Sequence, residues 1–174
     1  MRRAILPWIA LALMGAAPLP DPSVLDQNGT NVRLARDVIG GRVAVVHFMF
    51  TTCQSFCPLS GSVMSRTQAM LKNTPPPQPY RFVSISIQPE STTPAKLKAW
   101  LGRFGAGPNW DAVHIAQPAL RRVMTFFGET PTDVMLHSSQ MLVLDRQGRI
   151  TQRFENMPTP QALNAAVQRA ARLK

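Results

Sequence analysis

The stretch V-A-V-V-H-F-M-F-T-T-C-Q-S-F-C-P-L, Val43 to Leu59, decides the fold and holds both cysteines of the chain, Cys53 and Cys57. Its first part, Val43–Phe50, contains no Gly, no Pro and no formal charge. That is the composition and length of a strand buried on both faces. Thr51 and Thr52 end the run and offer N-cap hydroxyls, and a helical pattern follows through Leu59, Val63, Met64, Thr67 and Leu71. The cysteines therefore fall where a buried strand turns into a helix, at the carboxyl end of a sheet. Open α/β sheets bind their ligands at that end.

On a helical first turn, residues spaced like Cys53 and Cys57 share one face, with Cβ atoms about 5–6 Å apart. A helix N-terminus also lowers the pKa of a thiol placed there, through its unsatisfied N–H groups and the positive end of its dipole. Two such sulfurs can oxidise to a disulfide or grip a soft cation such as Cu(I). Pro58 follows Cys57 within the first turn, where a missing N–H costs little. A structural bridge, or a pair of idle buried cysteines, is the plainer alternative. Structural bridges seldom close so short a loop at a strand–helix turn.

Working outward toward the N-terminus, Gly40-Gly41 leads into the central strand. Val24–Val38 reads as a hairpin around Asn28-Gly29. Residues 1–20 carry Arg2 and Arg3, an uncharged run from Ala4 to Leu19 and the small cluster Gly15-Ala16-Ala17. That pattern predicts a secretory signal, or an uncleaved anchor that Pro7 makes marginal for a span of about 20 residues. The domain, residues 21–174, is then exported, periplasmic or held at the membrane facing the periplasm. An oxidising compartment leaves few cysteine pairs as idle thiols.

Working toward the C-terminus, Asn73–Pro79 (N-T-P-P-P-Q-P) is a stiff connector and Arg81–Ile87 a second buried strand. Thr92 and Thr93 precede Pro94, a good helix start, with Leu97, Trp100, Leu101 and Phe104 inward. Trp110–Ile115 reads as a short strand carrying His114, and Pro118–Phe127 as a helix. Gly128–Leu136 is a loop ending at His137. Gln140–Leu144 and Arg149–Phe154 form a terminal hairpin, and Pro158–Leu173 a last amphipathic helix. His47 reads as a hydrogen-bonded core histidine, and Trp100 and Trp110 as packing residues. Met49, Met135 and Met141 could each add a thioether to a Cu(I) site, yet with nine Met in the chain core packing is the simpler role. Strands and helices that alternate and close with a hairpin suit a single thioredoxin-like α/β domain.

At 174 residues, 45% hydrophobic and 16% charged, the chain is globular and long enough for a substantial core. The formal net charge is +10, from 19 Lys+Arg against 9 Asp+Glu. The bases are dispersed and no aromatic-rich RNA motif accompanies them, so a nucleic-acid partner is not expected. A basic surface suits a membrane face or an acidic protein partner. Two cysteines exclude a disulfide scaffold and a zinc ribbon. P-loop, G-x-G-x-x-G, Ser-elbow and H-E-x-x-H patterns are absent. A peroxiredoxin P-x-x-x-T-x-x-C set on Cys53 would need Thr and Pro where Phe50 and Val46 stand.

Several segments together resemble the Sco/SenC family of copper chaperones. They are V-L-D-Q-N-G (Val24–Gly29), G-G-R-V (Gly40–Val43), F-T-T-C-Q-S-F-C-P (Phe50–Pro58), S-I-S-I-Q-P-E-S-T-T-P (Ser84–Pro94) and H-S-S-Q-M-L-V-L-D-R-Q-G (His137–Gly148). The resemblance implies a thioredoxin-like fold and copper as the bound metal. It implies Cys53, Cys57 and His137 as the ligands, and a copper acceptor such as a cytochrome c oxidase subunit as the partner. Two thiolates and an imidazole suit Cu(I). The family's middle motif usually has acids where this chain has Gln88 and Thr92, and an Asp before the His where Leu136 stands. The implied role is metal transfer and not catalysis in the strict sense. The alternative is a thiol–disulfide oxidoreductase, with Cys53 attacking and Cys57 resolving, that keeps the cysteines of a copper acceptor reduced.

Overall fold

The computed structural model describes residues 17–53, 56–88, 90–129 and 140–173. The buried run forms strand β3 (Val43–Met49), whose seven residues are all buried. It lies inside a seven-stranded sheet of order β2-β1-β5-β4-β3-β6-β7. The other strands are β1 (Ser23–Asp26), β2 (Asn31–Arg33), β4 (Tyr80–Ser86), β5 (Trp110–His114), β6 (Met141–Leu144) and β7 (Ile150–Phe154). β3, β4 and β5 run parallel, with Val43 opposite Tyr80 and Met49 opposite Ser86. β6 pairs with β3 antiparallel, with Met141 opposite His47, and β1 closes the other flank against β5.

Parallel neighbours need crossover helices, and these are α1 (Phe56–Asn73) between β3 and β4 and α2 (Pro94–Arg103) between β4 and β5. Both crossovers step the same way across the sheet, so right-handed connections put both helices on one face. Their contact is direct: Ser65 Oγ donates to the Phe104 carbonyl at 2.8 Å, and a Cβ on Gly61 would stand 2.5 Å from the Phe104 ring. α4 (Pro160–Ala170) lies alongside α1, with Gln168 Nε2 donating to the Thr74 carbonyl at 2.7 Å. α3 (Ala119–Phe126) covers the opposite face. Alternation along β3 shows the two sides: His47 meets Trp100 of α2, whereas Phe48 meets Phe127 beyond α3. This arrangement is the thioredoxin-like α/β sandwich expected from the sequence.

The helix start expected at Thr93-Pro94 forms, whereas Thr51 and Thr52 do not cap α1, which begins only at Phe56, and the Thr52 hydroxyl turns to Gln88 instead. Thr93 Oγ1 accepts from the Lys96 N–H at 3.3 Å and Thr159 Oγ1 from the Ala162 N–H at 3.1 Å, each just before a Pro in the first turn. The expected hairpin forms at Asn28-Gly29, but its second arm is short. Leu34–Ile39 winds into a wide π-type turn, closed by the Gly40 N–H on the Ala35 carbonyl at 2.9 Å. Local carboxylates account for the switch from strand to turn. Asp21 accepts from the N–H groups of Ala35 and Arg36, and Asp37 from that of Arg33.

Candidate metal and thiol site

β3 delivers the chain to the carboxyl end of the parallel strands, and there Phe50–Cys53 makes a tight turn closed by the Cys53 N–H on the Phe50 carbonyl at 3.2 Å. Cys53 precedes α1 and is half-buried, while Cys57 lies within the first turn of α1 and is 3% exposed. The two cysteines are free thiols and near neighbours, and Cys53 acts on the titration of Cys57. The Phe50 N–H points at the Cys57 sulfur at 3.4 Å, so the loop backbone itself helps to fix that sulfur.

A helix N-terminus was expected to make acidic thiols, and Cys57 goes the other way. Burial pushes its pKa up to about 12, against the pull of the Phe50 N–H, and the neighbouring Cys53 adds to the rise. Desolvation outweighs the helix dipole because the sulfur sits in the core, where a thiolate has no water. The pair is therefore asymmetric: Cys53 is the accessible sulfur and Cys57 a buried proton-bearing one.

The β4–α2 connection forms the adjacent wall. Thr52 Oγ1 donates to Gln88 Oε1 at 3.2 Å, which joins the cysteine loop to this connection. Thr92 Oγ1 is buried, donates to the Gln88 carbonyl at 2.6 Å and lies 2.6 Å from Ser86 Oγ. Gln88 and Thr92, where acids were expected from the family pattern, are thus neutral groups that hydrogen-bond to the chain around them. No signal in the sequence pointed to the Thr52–Gln88 link, since the partners lie 36 positions apart.

His137 and Met135 lie outside the described residues. Among the described residues no group of three His, Cys, Asp or Glu is placed to hold a metal ion. His47 is a core residue as expected, 1% exposed with Nε2 at 2.7 Å from Ser84 Oγ. Met49 and Met141 are fully buried in the core. His114 is half-buried at the end of β5, and burial lowers its pKa.

Comparison with known proteins gives one consistent answer. The sequence profile of the SCO1/SenC family matches residues 20–172. A SCO1 protein homolog of Bacillus subtilis is 25% identical over 170 residues, covering 87% of this chain and 86% of its own. The structure of Bradyrhizobium japonicum ScoI with copper bound superposes with a TM-score of 0.69 at 25% identity, over 88% of this chain and 99% of the other. BsSco, described as a member of the Sco family of cytochrome c oxidase assembly proteins with a disulfide switch, superposes at 0.75 with 23% identity, over 90% and 95% of the two chains. A match that spans nearly all of the folded chain, on a shared fold, makes this protein a member of the SCO1/SenC family.

Proposed function

We propose that this protein is an exported copper-transfer protein that carries copper to a respiratory oxidase during its assembly, holding the metal through Cys53, Cys57 and His137. The observation that carries the reading is the sulfur pair itself. Two free thiols are neighbours at the carboxyl end of β3, one half-buried and one held by the Phe50 N–H. Copper bound to the Bradyrhizobium japonicum relative supports the choice of metal. The name of the family to which BsSco is assigned supports the oxidase as acceptor. The basic residues and apolar run of positions 1–20 support export, with residues 21–174 as the copper-handling domain.

In this reading the chain's own groups divide the work. Cys53 meets incoming metal at the surface. Cys57 must release its proton as sulfur joins the metal, so loading liberates protons and competes with disulfide formation. A three-ligand site with an open edge hands its metal to an acceptor that offers more or softer donors. Gln88 and Thr92 put neutral groups into the wall beside the sulfurs where the family pattern has acids, and Glu90 is the carboxylate that this connection keeps.

The asymmetry of the thiols also favours a second reading, reduction of an acceptor's disulfide. The Cys53 thiolate would attack one acceptor sulfur and release the other as thiolate. Cys57, giving up its proton, would then attack Cys53 sulfur and free the second acceptor thiol. The acceptor gains two electrons and this protein becomes the disulfide.

Anaerobic Cu(I) competition titration of the reduced protein, beside its His137→Ala variant, separates the two. One-to-one binding that weakens at least tenfold without His137 is expected from the copper reading. Weak binding that is indifferent to His137→Ala would overturn it and leave the disulfide chemistry.

A further inference from the structure

Bases that are dispersed along the sequence gather in space at one end of the sheet. β3, β4 and β5 begin together there, with the Val43 N–H on the Pro79 carbonyl at 3.0 Å and the Phe82 N–H on the Asn109 carbonyl at 2.8 Å. The β6–β7 turn closes the same end, where Arg146 Nε donates to the Gly41 carbonyl at 3.2 Å. α1 returns from the cysteine end to the start of β4, and α4 finishes beside it, tied by Gln168 on the Thr74 carbonyl. This end therefore collects Arg42, Lys72, Arg146, Arg169 and Arg172. All are exposed except Arg42, which is half-buried.

The carboxylates near this end are already engaged. Asp111 holds Arg81 at 2.9 Å, Asp145 holds Arg149 at 2.6 Å and Asp37 holds Arg36 at 2.8 Å. Among the described residues none of the collected bases forms an ion pair. Helix dipoles account for Lys72, Arg169 and Arg172, which stand at negative helix ends. They do not account for Arg42 and Arg146, which stand before a strand and in a hairpin turn. Arg42 is held against its own charge: burial lowers its pKa, the Arg81 guanidinium lowers it further, and Asp111 offsets only part. An anion brought to this end would favour the charged form.

The chain also enters the fold at this end. Leu19 packs against the core beside Gly148, in the turn that carries Arg146. The sequence is uncharged from Ala4 to Leu19, and residues 4–16 of that run lie outside the described residues. An apolar run that leads out beside unpaired bases matches a surface with anionic headgroups over an apolar interior. An acidic protein would answer the bases and not the run. We propose that Arg42, Lys72, Arg146, Arg169 and Arg172 form a docking surface for an anionic lipid bilayer, which turns the cysteine end of the sheet away from the headgroups. The parallel strands set the separation, since Val43 to Met49 spans about 20 Å at about 3.3 Å per residue. This surface is independent of the copper reading, because its residues lie at the far end of β3 from both cysteines.

The test is co-sedimentation of the full chain with phosphatidylcholine vesicles, with and without phosphatidylglycerol. The ratio of the two affinities removes whatever the uncharged run contributes to both. Each base near an anionic surface is worth about fivefold, so Arg146→Gln with Arg172→Gln should lower the ratio about 25-fold. Arg121→Gln with Arg122→Gln removes the same charge from α3, which joins the cysteine-side ends of β5 and β6. That pair should change the ratio less than about twofold, because it stands beyond a Debye length of about 10 Å from the docked face. Iodoacetamide should reach Cys53 at the same rate with and without vesicles.

Equal affinity of the parent chain for both vesicles, or a ratio unmoved by the Arg146 and Arg172 changes, overturns the docking surface and leaves an acidic protein as its occupant. An equal fall in the Arg121 and Arg122 variant also overturns it, because net charge and not this face would then carry the binding. Vesicles that shield Cys53 overturn the orientation. If the loss of the Arg146 bond to Gly41 prevents folding, Lys72→Gln with Arg172→Gln replaces that variant at the same charge, since both side chains are exposed.

Discussion

At the scale of single residues, chemistry and burial compete, and the two cysteines show which wins. Cys57 is placed at a helix start, which argues for an acidic thiol, and in the core, which argues against one; the core prevails. Alkylation by iodoacetamide at pH 8 should therefore mark Cys53 first, with Cys57 at least tenfold slower until the protein is unfolded. Mass spectrometry of partly labelled protein checks this, and equal labelling would sink it. The raised pKa also has a consequence for stability. Folded protein holds the Cys57 proton more tightly than unfolded chain. This group's contribution is thus fully present below the ordinary thiol pKa and declines as pH rises from about 9 toward about 12. Urea midpoints of the reduced protein should fall over that range, and Cys57→Ser should flatten the fall. His47 gives a second case. Trp110 Nε1 donates to Ser84 Oγ at 2.9 Å and Trp100 Nε1 at 3.4 Å, filling both acceptor positions of the hydroxyl. That leaves the Ser84 proton to be donated to His47 Nε2, 2.7 Å away. Ser84→Ala strands two buried indole N–H groups and should cost about 1–3 kcal/mol in urea unfolding. An unchanged midpoint would mean that the network contributes nothing. His47 was legible as a core residue from the uncharged run around it. Its partner was not, because Ser84 is 37 positions away on another strand.

At the scale of elements, periodicity read well from sequence, while close approach between elements did not. Among the described residues, the seven strands and the four crossover and covering helices fall on segments whose pattern announced them, with most ends shifted by a residue or two, although the second hairpin arm stops at Arg33 and not Val38, and α4 at Ala170 and not Leu173. The π-type turn at Leu34–Ile39 escaped, since it depends on Asp21 reaching across from before β1. Nor did any pattern mark Gly61 as more than an interruption of the α1 helix. In the fold it is the point where α1 meets the Phe104 ring at the end of α2. A methyl there must displace that ring from its packing against Trp100, with which it forms an edge contact at 4.7 Å between centroids. Gly61→Ala gains helix propensity of about 0.5–1 kcal/mol but should lose about 1–3 kcal/mol to overpacking, for a net loss. Thermal unfolding decides the sign. A higher midpoint would show that Phe104 moves aside at little cost. The place of the two cysteines beside each other was legible for a simple reason: their spacing and their position between strand and helix are both local. The hydrogen bonds that join Glu129 to Gln140, and Arg153 to Gln140 and the Phe127 carbonyl, were not legible, because they gather three short segments whose only common feature is spatial.

For the whole molecule, the question is where the folded unit starts relative to the apolar run that precedes it. Ordered contacts begin almost at once. Leu19 packs against the core, its Cβ 3.2 Å from where a Cβ on Gly148 would lie in the β6–β7 turn. The Pro22 carbonyl accepts from the Leu34 N–H at 3.1 Å. Asp21 binds the Ala35 N–H at 2.7 Å, the Arg36 N–H at 3.2 Å and Arg33 Nε at 3.1 Å. Residues 19–22 are thus a strap that ties the β6–β7 turn to the π-type turn. A chain beginning at Ser23 loses the packing of Leu19 and the three bonds of Asp21. It should be less stable than one beginning at Pro18 by about 2–4 kcal/mol at pH 7. The difference should narrow in acid, and the sign follows from Asp21. Burial works to raise its pKa, but the N–H groups of Arg36 and Ala35 and the Arg33 guanidinium outweigh that and lower it. A carboxyl lowered in the folded state stabilises above its unfolded pKa of about 3.9 and loses that contribution as pH falls through the folded value. Urea unfolding of the two chains at pH 7 and at pH 3 measures both effects. Equal midpoints at pH 7 would show that the strap is passenger chain. A gap that stays constant into acid would assign its stability to Leu19 packing and not to the carboxylate.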